Sequence, residues 1–109
     1  MASILFVLTN SPATPTGRQA LALAESLAGQ GYTLTLCCLQ DATLLGSNRS
    51  PREARAALDR LLGRGARCVV LGEDLALRGL QESHSASIAD HAGVVALLAA
   101  PHDRVVGAL

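Results

Sequence analysis

The feature that most constrains this chain is a set of short apolar runs separated by glycine-ended helical segments. The first run, residues 3–9 (SILFVLT), is continuously apolar with no alternation. A strand half-exposed to water alternates, whereas one covered on both faces does not. Two further runs fit strands, residues 32–39 (YTLTLCCL) and 67–72 (RCVVLG). Between the first two, NSPATPTG carries two prolines and a glycine and must be a loop. A helix is then predicted from Thr16 or Gly17, with Ala20, Leu23, Ala24, Leu27 and Ala28 as its buried stripe and Gly29 and Gly31 at its end. Before the third run, SPRE predicts a second helix: Ser50 as N-cap, Pro51 at the first helical position, Glu53 closing a capping box. Ala54, Ala57, Leu58, Leu61 and Leu62 give its buried face, and Gly63 and Gly65 stop it.

After Gly72 the pattern weakens. EDLALRGL suggests a short helix, DHAGVVALLAA a helix ending before Pro101, and DRVVGAL (103–109) a last strand. A further short strand between Leu80 and Asp90 is left open by propensity. The order βαβαβαβ predicts an α/β fold, a mainly parallel sheet of four or five strands with helices on both faces. The chain of 109 residues suits one domain over its whole length.

Composition removes several functions. With one Phe, one Tyr and no Trp, there are no stacking platforms for bases. Formal net charge is zero, so neither nucleic acid nor an anionic membrane finds an electrostatic footprint. The arginine-rich stretch NRSPREARAALDRLLGRGAR reads as the solvated face of a helix. MASILFVLTN lacks a basic leader and is too short to cross a bilayer, so no signal or membrane anchor is expected. Three cysteines without CxxC spacing fit neither a disulfide framework nor a zinc site, and imply a reducing cytoplasm.

The layout resembles the DsrE/DsrF-like sulfur-relay family. The likeness rests on ILFVLTN leading through a polar loop into GRQALALAESLAGQGYTLTL, then LQDATLL, then LLGRGARCVVLG, the RGL at Arg78–Leu80 and the closing HDRVVGA. It implies a three-layer α/β/α sandwich, flavodoxin-like in outline, in a protein that forms homo-oligomers or assembles with related subunits. Catalytic members of the family carry a persulfide on a cysteine seven positions before the arginine of the RG pair. Seven before Arg78 is Leu71, so the resemblance places leucine at the carrier position. A carrier needs an exposed thiolate that can be attacked and released, which leucine lacks. The resemblance therefore implies a subunit that docks partners in intracellular sulfur trafficking, with no cofactor.

Other residues have side chains capable of chemistry. Cys68, Cys37 and Cys38 are weak candidates for a displaced carrier, and each also fits a core position, since a buried free thiol behaves as a small hydrophobe. Strand alternation puts Cys37 and Cys38 on opposite faces. Asn10 and Ser11 after the first strand, Asp41 after the second, and Glu73 and Asp74 after the third, together with Leu71, would line the strand-end crevice where α/β folds hold ligands. Asp41 equally suits an Asx turn, and Glu73 and Asp74 suit a helix start. NSPATPTG is no phosphate-binding glycine loop, and His84, His91 and His102 have no zinc spacing. Three functions follow: a docking subunit without carrier cysteine, a sulfurtransferase with a displaced cysteine, and a small-ligand module at the crevice.

Overall fold

A computed structural model describes residues 2–107. Five strands form one parallel sheet in the order β4-β3-β2-β1-β5: β1 (Ser3–Leu8), β2 (Thr33–Cys38), β3 (Arg67–Leu71), β4 (Ser87–Ala89) and β5 (Arg104–Val106). The helices are α1 (Pro15–Gly29), α2 (Arg52–Gly63), α3 (Gly72–Leu77) and α4 (His91–Ala99), with a 3₁₀ turn over Gln40–Leu44. This is the α/β/α sandwich expected from the strand–helix alternation. The open stretch between Leu80 and Asp90 does hold a strand, β4, only three residues long. Residues 108 and 109 of the predicted last strand lie outside the described residues.

The chain builds the sheet in one direction from β1 to β4, then α4 carries it across to β5 beside β1. Helices α1 and α2 pack on one face with each other. Their side covers Ile4, Phe6, Leu8, Leu34, Leu36, Cys38, Cys68 and Val70. The opposite face is smaller. There Leu5, Cys37 and Leu71 meet Val94 of α4. The expected alternation holds along β3, with Cys68 and Val70 on the first face and Leu71 on the second.

Three local expectations are corrected. Helix α1 starts at Pro15, one to two residues earlier than expected, because Thr14 Oγ1 accepts from the Gly17 N–H at 3.1 Å and caps it. Its buried stripe includes Leu21, while Leu23 is 44% exposed, since the inner face turns toward 17, 20, 21, 24 and 28. Helix α2 starts at Arg52, and no side chain caps it. The Ser50–Glu53 capping box does not form because Ser50 is taken up by the preceding turn, its N–H donating to the Ser47 carbonyl at 3.3 Å. Its hydroxyl is buried without a hydrogen-bond partner.

Two glycines are required by space. A Cβ on Gly17 would stand 2.0 Å from the Ser11 carbonyl oxygen, so the loop before α1 can lie on the helix only if this residue is glycine. A Cβ on Gly46 would stand 2.5 Å from Val70 Cγ1, which closes the 3₁₀ region over β3.

Candidate functional site at the strand ends

The C-terminal ends of β1, β2 and β3 lie side by side, as the parallel register demands. They bring Asn10, Ser11, Asp41, Leu71, Glu73 and Asp74 to one edge of the sheet. These polar groups are largely engaged with each other or with the backbone. Asp74 Oδ2 accepts from the Gln40 N–H at 2.7 Å. Arg78 donates from Nε to Asp41 Oδ1 at 2.9 Å and from Nη1 to the Asp74 carbonyl at 3.1 Å. Glu73 Oε2 sits 2.6 Å from His91 Nε2 at the start of α4. Ser11 accepts with Oγ from Ala13 N–H, and its carbonyl accepts from the N–H and the hydroxyl of Thr14. Asn10 is exposed beside them.

This network has a structural task at Gln40, which takes φ +53°, the one non-glycine residue at positive φ among the described residues. That conformation costs roughly 1–2 kcal/mol for an L residue. The Asp74 carboxylate, bonded to the Gln40 amide, offsets part of the cost with a charge-assisted hydrogen bond. Asp41 and Asp74 thus fix the exit of β2, and Arg78 clasps both.

The cysteines are in the core. Cys37 and Cys38 have no exposed surface and Cys68 is 3% exposed. The thiols of Cys38 and Cys68 face each other at 3.9 Å on the α1–α2 side of the sheet. That contact and complete burial push the Cys38 thiol well above the ordinary range. Burial, then the neighbouring Cys68, also raises Cys37. Desolvated thiols of this kind hold their protons at neutral pH and are poor nucleophiles. Leu71, at the end of β3, is 6% exposed and touches the same small cluster as Cys37. Among the described residues no three of His, Cys, Asp and Glu converge on a metal position. No described helix is long and apolar enough to cross a membrane.

A sizeable groove lies elsewhere. It has a volume of about 550 Å³ and runs along the outside of α1 and α2. The arginine-rich stretch, read from sequence as a solvated face, supplies one of its walls. The signal that could have located it is the run of alanines (22, 54 and 57) on facing helix stripes, which leaves room between two helices flanked by arginines.

No family model matches the sequence, and no curated protein does. Among solved structures, the crystal structure of the YchN protein of E. coli superposes with a TM-score of 0.81, covering 99% of this chain and 100% of that one at 21% identity. The fold, a five-stranded parallel sheet with helices on both faces, is shared with that structure. At that identity the likeness speaks for architecture, and the chemistry of this chain rests on its own residues.

Proposed function

We propose that this chain is a cytoplasmic DsrE-like subunit that assembles with copies of itself or with related subunits in sulfur trafficking, and that it docks partners without carrying sulfur. The observation that carries the assembly is α4. Its sequence, HAGVVALLA, is apolar all round. A helix of that kind is normally buried on every side. Here only Val94 is buried, while Val95 is 63% and Leu98 44% exposed. The two edge strands add Ile88 at 52% and Val105 at 56%. Exposed apolar side chains on a helix of this kind are what a protein–protein interface can use.

Two features support the absence of carriage. The position that matches the family's carrier is aliphatic and buried, and all three thiols are enclosed. Light scattering on the native protein tests the assembly, and a strict monomer at 50–100 μM (roughly the range where weak interfaces populate) would remove the support. Intact mass after incubation with a persulfide donor tests the second half. A gain of one sulfur atom, abolished by Cys37→Ser, would instead favour the displaced-carrier enzyme, since Cys37 is the thiol in contact with the Leu71 cluster.

A further inference from the structure

We propose that the groove between α1 and α2 binds a small organic anion with an apolar body, such as an aryl or alkyl carboxylate. Its floor is apolar: Leu21, Ala54 and Ala57 are buried beneath it, and Ala22 stands exposed on its wall. Its volume of about 550 Å³ falls in the range of small-ligand sites. The groove is also short. Arg60 reaches across from α2 to Glu25 of α1, with Nη2 and Nε at 2.8 and 3.1 Å from Oε1, and bars one end. From that bar to Arg18 is seven residues of α1, roughly 10 Å at the helical rise. Pro12, Ala13 and Pro51 close in at the other end. A two-turn groove barred at one end suits a compact molecule and leaves no track for a partner helix.

The open end sets the sign of the ligand. Arg60 and Glu25 neutralise each other, which leaves Arg18 and Arg52 against Glu53. Arg18 spends one Nη1 donor on the Ala13 carbonyl, and its other donors stay available. Arg52 is exposed and forms no hydrogen bond among those described. Beside it, the first N–H groups of the twelve-residue helix α2 have no side-chain cap, so the local potential is positive there. A carboxylate held by the two guanidiniums would leave an apolar tail to cover Leu21 and the alanines. The site lies on the opposite layer from α4, so it can be filled whether or not the α4 face is covered.

The test uses 2-naphthoate as the probe and 2-naphthylmethanol as its uncharged match, followed by amide chemical shifts of the full chain. The expected result is saturable binding of the naphthoate, with shifts centred on α1 and α2, and affinity for the alcohol about tenfold weaker. Ala22→Trp, at an exposed helical position, should fill the groove and abolish binding. Arg52→Glu should weaken the naphthoate about tenfold and leave the alcohol unchanged. The proposal is overturned by naphthoate binding that survives Ala22→Trp, by shifts confined to α4, by equal affinity for acid and alcohol, or by a lack of saturation at millimolar probe.

Discussion

The two faces of the sheet are made from the same strands and end in different states. On one face, α1 and α2 lie side by side and seal a core that includes Phe6, Leu34, Leu36 and Val70, all fully buried. On the other, the described part of the chain provides essentially one helix, and its contact reduces to Leu5, Cys37, Leu71 and Val94 with flanking side chains. The first face is complete within one chain. The second is apolar beyond what α4 can cover, and α4 itself turns valine and leucine outward. The contrast teaches that one face of this sandwich carries the stability of the monomer while the other has surface to share.

The sharpest way to break the contrast is to injure the sealed face. Phe6→Ala should cost about 3–5 kcal/mol by denaturant unfolding, because a fully enclosed ring leaves a cavity that close-packed neighbours fill only in part. A loss under 1 kcal/mol would show that this face is loosely packed. Next in size is the shared face. If the proposed assembly forms through α4, the pair Val95→Asp and Leu98→Asp should convert it to monomers in light scattering while helical circular dichroism is kept, since both side chains are exposed in the monomer. Retention of the native mass would detach α4 from assembly.

The buried thiols give a third, pH-dependent difference. Cys38 has its folded-state pKa raised, so the folded chain keeps a proton that the unfolded chain releases above about pH 8.5. Stability from this group is therefore full below that pH and is lost as pH rises beyond it. Denaturation at pH 7, 9 and 10 should show a decline that Cys38→Val flattens. Equal slopes for the two proteins would mean that Cys38 ionises freely. The smallest effect belongs to the β2 exit. Gln40→Gly should stabilise the fold by about 0.5–1 kcal/mol, as glycine accepts positive φ without a Cβ penalty. Destabilisation would show that the Gln40 side chain holds something the backbone account omits.

Much of the architecture was legible because its signals are local. An unbroken apolar run such as SILFVLT, and glycines directly after helical stripes, report covered strands and helix ends within a few residues of sequence. Even so, the cap of α2 was misplaced. Ser50 has the right chemistry for an N-cap, but the turn from Ser47 takes its N–H and its hydroxyl is buried without a hydrogen-bond partner. The strand-end residues show the same limit. Sequence could bring Asp41, Glu73 and Asp74 to one edge through strand order, but it could not say that Arg78, Gln40 and His91 would engage them.

By itself, then, the sequence determined the α/β layering, the placement of Cys68 and Leu71 on opposite faces, and leucine at the position where the resemblance implies a thiol. These follow from side-chain periodicity and identity, which are properties of neighbours along the chain. Tertiary structure alone decided that α4 stands apolar and exposed, that Cys38 meets Cys68 at 3.9 Å, and that a groove opens between α1 and α2. Each depends on which distant surfaces pack against each other and how closely, and no local pattern encodes that distance.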